Sequence, residues 1–217
     1  GVQTTGVTVH WVDEGIDTTM VLPHDRIWKG FFTSPMSRFF EDYYTARGVR
    51  FVKNTRVAAL TGTDVVESAV LENGEIVRCD MAVAGIGVKP NLQVAESAGL
   101  TIDGGIAVNE FLETSVVGIF AAGDVARWPD AYSDARLRVE HWVVAERQGQ
   151  VVARNMLGFR DRFDDIPFFW SAHYDKLSIQ YTGHVERWDE TKIDGDVMNM
   201  DCAVSYMVAG KRRAIAT

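Results

Sequence analysis

Phe120-Ala121-Ala122-Gly123-Asp124-Val125-Ala126-Arg127 is the stretch that decides how the rest of this chain is read. Gly118-Ile119-Phe120-Ala121-Ala122 is small and apolar, which predicts a short buried strand that stops at a glycine followed at once by an acid. A carboxylate at the carboxyl end of a parallel strand sits where open α/β sheets bind their ligands. Gly123 lets a ligand approach the backbone and Asp124 can accept hydrogen bonds from it. A helix opening just afterwards would aim its positive end at ligand oxygens. A surface turn uses the same two residue types, so the flanks must decide between the two readings.

Composition describes a globular chain and narrows its partners. With 217 residues and 47% hydrophobic content, the chain can bury the core of one or two domains. A net charge of -8 argues against the concentrated basic face of a nucleic-acid binder. Lys211-Arg212-Arg213 is the one tight basic run, and it reads as a solvated strand or turn end. No apolar run approaches bilayer length and the first residues carry no cleavable signal pattern, so a cytoplasmic location is the default expectation. Cys79 and Cys202 belong to no Cys-x-x-Cys pair, so any electrons must travel on a cofactor. Both thiols read as buried small hydrophobes.

Along the chain, Gly1 and Gly6 suggest the tail of a glycine-rich loop, but Val7-Thr8-Val9-His10-Trp11 is β-branched where its helix should be. Thr18 to Leu22 predicts a strand ending in Pro23-His24-Asp25. Ser34-Pro35 predicts an N-cap and first helical residue, Met36, Phe39, Phe40, Tyr43 and Tyr44 recur at helical spacing, and Gly48 stops the helix. Val49 to Lys53 resumes a strand, so the order implies a right-handed parallel crossover. Val57 to Val77 predicts a small antiparallel meander with a turn at Glu72-Asn73-Gly74-Glu75. Cys79 to Ala84 predicts a buried strand leading to Gly85-Ile86-Gly87-Val88-Lys89-Pro90-Asn91, where a nucleotide backbone could lie close or the chain could simply turn. Arg138-Val139-Glu140-His141-Trp142 predicts a helix start with Glu140 in the first turn, continuing to about Gly158. Clustered aromatics at Ile166 to Ser171 precede an alternating strand from Leu177 to His184. Further strands around Cys202 to Tyr206 and Arg213 to Ala216 complete a small antiparallel sheet.

Thr114 to Val125 resembles the second flavin-binding signature of the two-dinucleotide-domain flavoprotein reductases. Thr18 to Pro23, Phe32-Thr33, Tyr43-Tyr44 and Gly48 to Lys53 are similar to the nicotinamide domain of monodehydroascorbate reductases. Gly85-x-Gly87-x-x-Pro90-Asn91 looks like that family's return into the flavin domain, and ferredoxin reductases and apoptosis-inducing-factor-like reductases share the plan. The resemblance implies an α/β chain, part of a Rossmann-like FAD- and NAD(P)-binding reductase, followed by a small α+β C-terminal domain. It places the rear of the NAD(P)H-binding domain at 1–84, the second half of the FAD-binding domain at 85–158 and an incomplete C-terminal interface domain at 159–217. Two glycine-rich pyrophosphate loops of a complete member are not recognisable, which implies a fragment that retains FAD poorly by itself.

The same resemblance assigns roles residue by residue. Gly123 and Asp124 would hold the FAD ribityl chain, and Glu140, His141 and Trp142 would face the flavin and the nicotinamide pocket. For Glu140 and His141 a capping acid and a hydrogen-bonded histidine remain the alternative. Trp170 would lie beside the isoalloxazine, and Gly85 and Gly87 near a nucleotide backbone. His24 and Asp25 end the strand that usually carries the ribose-binding acid; Asp25 would favour NADH by accepting the 2′-hydroxyl, whereas a protonated His24 would tolerate the 2′-phosphate of NADPH. The implied reaction is hydride transfer from NAD(P)H to FAD, then single electrons to a ferredoxin or Rieske protein, a small radical or a quinone. Two other readings use the same residues: a non-enzymatic interaction module with a dimer or partner surface in its C-terminal region, and an NADH oxidase that forms hydrogen peroxide.

Overall fold

The computed structural model describes residues 12, 14–133, 135–174 and 177–217. The glycines and β-branched run at Gly1 to Trp11 lie outside the described residues. The chain divides into two compact units, one formed by 1–87, 170–179 and 185–217 and the other by 88–169 and 180–184.

In the first unit, β1 (Thr19–Val21) and β2 (Arg50–Val52) pair in parallel, with α1 (Ser34–Thr45) between them. This is the crossover expected from the sequence. The cap falls one residue earlier than the spacing suggests, because Thr33 has the extended backbone and Ser34 is already helical. Met36, Phe39, Phe40 and Tyr44 form the buried stripe of α1. Ser37 Oγ donates to the Ile27 carbonyl at 2.7 Å, and Glu41 accepts from the Ile27 amide at 3.0 Å, so one helix face fixes both polar groups of a loop residue. The meander is β3 (Val57–Thr61), β4 (Ser68–Leu71) and β5 (Ile76–Arg78), antiparallel throughout. Asn73 and Gly74 make its second turn, with Gly74 at φ 87°.

Five strands form the largest sheet: β9 (Phe168–His173), β10 (Leu177–Gly183), β11 (Glu190–Asp196), β12 (Asp201–Val208) and β13 (Lys211–Ala216), in the order β11-β12-β13-β10-β9. Strand β11 had no signal of its own, since Glu190-Thr191-Lys192-Ile193-Asp194-Gly195-Asp196 is almost entirely polar and is exposed at a sheet edge. Within the first unit the rings of Trp28, Phe32, Phe40 and Tyr44 pack together with His173. Tyr44 Oη and His173 Nδ1 share a hydrogen bond of 2.5 Å in this apolar setting.

The second unit holds α2 (Gln93–Ser97), a mixed sheet of β6 (Ile106–Ala107), β7 (Ala126–Pro129) and β8 (Arg136–Leu137), and α3 (Trp142–Met156). Its core joins Val108, Leu112, Ala121, Ala126, Trp128 and Leu137 to Val144 and Val152 of α3 and to Phe163. Trp128 meets Phe163 edge to face with ring centres 5.5 Å apart.

Four local expectations are corrected. Gly118 to Ala122 is not a buried parallel strand: Gly118 turns at φ 80°, Thr114 bonds Ile119, Ala121 bonds Leu112, and Phe120 bridges Glu113 antiparallel. The run folds back on its own upstream residues in a tight hairpin. No α-helix follows Asp124, because a single 3₁₀ turn at Gly123–Val125 passes directly into β7. Helix α3 begins at Trp142 rather than Arg138, since His141 is extended (φ -151°, ψ 131°) and forms the N-cap, so Glu140 precedes the helix. Cys79 to Ala84 is neither buried nor a strand. Cys79 adds one ladder bond to Glu67, and beyond it no described segment pairs with the run, leaving Met81 and Val83 exposed. Cys79 and Cys202 are both only partly buried.

Trp128→Ala should destabilise the protein by about 3–5 kcal/mol in denaturant unfolding, the usual cost of emptying a packed aromatic site. Burial lowers the His173 pKa from 6.5 to about 4. The unfolded chain therefore takes up a proton near pH 6.5 that the folded chain refuses until about pH 4. This contribution to stability is complete above pH 6.5 and is lost as the pH falls toward 4. The unfolding midpoint should fall on acidification across that window, and His173→Gln, which keeps an acceptor for Tyr44 but does not titrate, should flatten the slope between pH 5 and 6.5.

Candidate functional site

The second unit brings five of the residues singled out above to one place. Gly123 is in the left-handed region at φ 78°, where glycine is free of the strain a side chain would add. A Cβ built there would stand 3.4 Å from Ala145 Cβ, so α3 lies directly behind the turn. The Gly123 amide donates to Gln148 Oε1 of that helix at 2.7 Å. Asp124 follows on the exposed side of the same turn. Its carbonyl accepts from Arg138 Nη1 at 3.0 Å, and the same nitrogen binds Glu140 Oε1 at 2.8 Å. Arg138 thus ties the turn to the residues that precede α3.

His141 caps α3 through its backbone, its carbonyl receiving the Ala145 amide at 3.0 Å. Burial lowers the His141 pKa, and the negative charge of Asp124 pulls the other way. Burial is the larger cause, so the net effect favours the uncharged ring. Trp142, the first residue of the helix, is 62% exposed. Farther back, Arg147 pairs with Asp165 at 3.2 Å and lies over the Phe168 ring.

The chemistry of this arrangement suits a hydroxylated, uncharged ligand segment. An exposed carboxylate can accept from hydroxyls, the backbone beneath it is immobilised from behind, and the residues before α3 add an imidazole and a second carboxylate. Asp124 is exposed, so its carboxylate is open to a ligand and is not covered by packed side chains. No group of three or more His, Cys, Asp or Glu side chains among the described residues could hold a metal.

The remaining candidates belong to the first unit. His24 and Asp25 are exposed on the loop after β1, where Asp25 pairs with Lys29 at 3.0 Å and with Arg26 at 3.5 Å. The hydrogen bond from Lys29 is the main cause that lowers the Asp25 pKa. Gly85 and Gly87 are exposed in a segment without regular secondary structure, with Gly87 at φ 90°. Trp170 lies in β9 and is 47% exposed. Arg138, Ala145 and Gln148 were not singled out from the sequence. Gln148 had a visible signal, since it is a polar residue midway between Val144 and Val152 on the apolar stripe of α3.

A parallel crossover, a small three-stranded sheet, a glycine-acid turn backed by a helix and a C-terminal sheet place the chain in the α/β class that includes dinucleotide-binding proteins. Residues 1–149 match the pyridine nucleotide-disulphide oxidoreductase family, and the chain belongs to that family. It is 29% identical to human (Homo sapiens) apoptosis-inducing factor 3 over 97% of this chain and 35% of that protein. It is 30% identical to putidaredoxin reductase of Pseudomonas putida over 88% of this chain and 46% of that protein. A solved structure of the covalent putidaredoxin reductase–putidaredoxin complex covers 100% of the chain and 52% of its own, with a TM-score of 0.94 at 28% identity. The chain thus spans between about a third and a half of the length of these relatives. Among the described residues no helix is long and apolar enough to cross a membrane.

Gly123→Ala should cost about 1–2 kcal/mol of stability because alanine is strained at that backbone angle. Asp124→Ala, at an exposed position, should leave the thermal midpoint close to that of the unaltered protein. Calorimetry on the two variants checks both.

Proposed function

We propose that the protein is an FAD-dependent NAD(P)H oxidoreductase that passes electrons one at a time to a ferredoxin- or Rieske-type protein, or to a small one-electron acceptor. The observation that carries this reading is the Gly123–Asp124 turn, with its carboxylate open and its backbone held from behind by α3. Asp124 would accept a hydrogen bond from a ribityl hydroxyl of FAD. His141, whose uncharged form burial favours, and Glu140 would border the nicotinamide pocket. Trp170 would flank the isoalloxazine, and Gly85 and Gly87 would permit close approach of a nucleotide backbone.

When bound, FAD accepts the hydride and releases electrons singly. The protein's residues orient and shield, since hydride transfer needs alignment more than a protein acid or base. Cys79 and Cys202 carry no Cys-x-x-Cys pattern, which fits delivery to a one-electron acceptor. Putidaredoxin reductase, crystallised in a covalent complex with putidaredoxin, supports a redoxin-type protein as that acceptor.

For the nicotinamide cofactor the reading is NADH. Asp25 stays ionised beside Lys29 and would accept from a ribose 2′-hydroxyl. It also occupies two cations, Arg26 and Lys29, that a 2′-phosphate would otherwise attract.

Asp124→Ala should weaken FAD binding by about tenfold or more in equilibrium titration followed by flavin absorbance, and unchanged affinity would remove the flavin assignment. Asp25→Asn should shift the ratio of kcat/KM values toward NADPH by about tenfold. An unchanged ratio would show that cofactor choice resides elsewhere.

A further inference from the structure

Gln148 is fully buried, yet the residues one turn before and after it on the same helix face, Val144 and Val152, belong to an apolar core. An amide at such a position costs stability unless its polar atoms are bonded. Its Oε1 accepts from the Gly123 amide at 2.7 Å. Its Nε2 is buried with no hydrogen-bond partner among the described residues. The orientation of the amide is fixed by chemistry, since only the oxygen can face an N–H donor. A leucine would fill this space without a buried Nε2 but would leave the Gly123 N–H without its acceptor, so the glutamine is explained by the amide it holds.

That amide belongs to the turn that presents Asp124. Gly123 lies between the Glu113–Phe120 bridge and β7, and its N–H points to a side chain rather than into a strand ladder. On the other side of Asp124, its carbonyl is held by Arg138. The two backbone groups that set the direction of the Asp124 side chain are therefore fixed by two side chains, one buried and one partly exposed. Of the two, Gln148 is the one shielded from water and salt.

We infer that Gln148 is a positioning residue that holds the Gly123–Asp124 turn in the conformation that receives the flavin ribityl chain. This rests on the flavin reading of the turn. Without the Gln148 oxygen, the glycine turn is free to relax in the flavin-free protein, and the cost of re-forming it is transferred to FAD binding.

The test is a double-mutant cycle on the complete gene product, with FAD removed and then titrated back while flavin absorbance is followed. Gln148→Met keeps the volume and loses the acceptor; it should weaken FAD about tenfold and alter the shape of the visible flavin bands. Gln148→Glu keeps an oxygen opposite Gly123 and should stay within about threefold of the unaltered protein. In an Asp124→Ala background, Gln148→Met should add less than about a twofold loss, because the glutamine acts through the carboxylate. Equal losses in both backgrounds, or unchanged affinity in Gln148→Met alongside a loss in Asp124→Ala, would overturn the inference while leaving the flavin reading intact. Unchanged affinity in Asp124→Ala would overturn both. Should Gln148→Met fail to fold, hydrogen exchange at the Gly123 amide decides: protection of about tenfold or more, retained in Gln148→Glu, is expected. Rapid exchange in the folded, unaltered protein would overturn the inference.

Discussion

The second unit depends on one hydrogen bond, from the Gly123 amide to the buried oxygen of Gln148. Between the Phe120 bridge and β7 the chain makes a single 3₁₀ turn of three residues, and there the Gly123 N–H bonds a side chain in place of a strand. A helix side chain takes the place of a ladder partner. The consequence for α3 is placement: with Ala145 against the glycine and Gln148 bonded to it, Val144 and Val152 fall onto Leu112, Ala121 and Trp128. At the other end of α3, Asn155 donates to the carbonyls of Phe111 and Asp161 and accepts from the Asp161 amide. The helix is thus fixed at its middle and near its C-terminal end by amide side chains, and the residues at its beginning, Glu140, His141 and Trp142, are exposed or partly exposed.

In the first unit the order comes from rings. Trp28 stands in the left-handed region at φ 49°, an uncommon backbone angle for a bulky residue, and its indole meets Phe32, Phe40, Tyr44 and His173 edge-on. The loop that carries His24 and Asp25 is therefore anchored immediately downstream by Ile27, whose two backbone groups both bond α1, and by that indole. The Tyr44–His173 bond joins residues far apart in the chain within this apolar cluster. Tyr44 Oη and His173 Nδ1 are tolerated there because each meets the other, and burial raises the phenol pKa and lowers that of the imidazole.

How much of this could be read from the residues follows from the range over which each feature is determined. The crossover and the meander were legible, since helical spacing from Met36 to Tyr44 and the Asn73-Gly74 turn are local signals. Gly118 to Ala122 and Cys79 to Ala84 were misread for one reason. Apolar sequence states what is fit to be buried, while a strand exists only where another strand runs beside it, and here the first run folds back on Leu112 to Thr114 while the second pairs with no described segment beyond Cys79. The start of α3 was misplaced because no Ser, Thr, Asp or Asn marks it; His141 caps only through its backbone. Glycine and aspartate at the turn were legible as a pair, but Arg138 and Gln148, which hold them, come from 14 and 25 residues away and carry no signature except a polar interruption of an apolar stripe.

The arrangement separates what folds the turn from what the turn presents. Gly123 and Gln148 are buried and bonded to one another, so changes there act first on the packing of α3. Asp124 is exposed, and its side chain is not part of that core. A residue so placed can be specialised for a ligand at little cost to the fold, provided the backbone beneath it does not move. That condition is met from the buried side, by an amide and a methyl group of one helix rather than by the strand ladder of a sheet. The precision of the carboxylate therefore depends on the seating of α3, and the seating of α3 depends on the core that Trp128 and Phe163 complete.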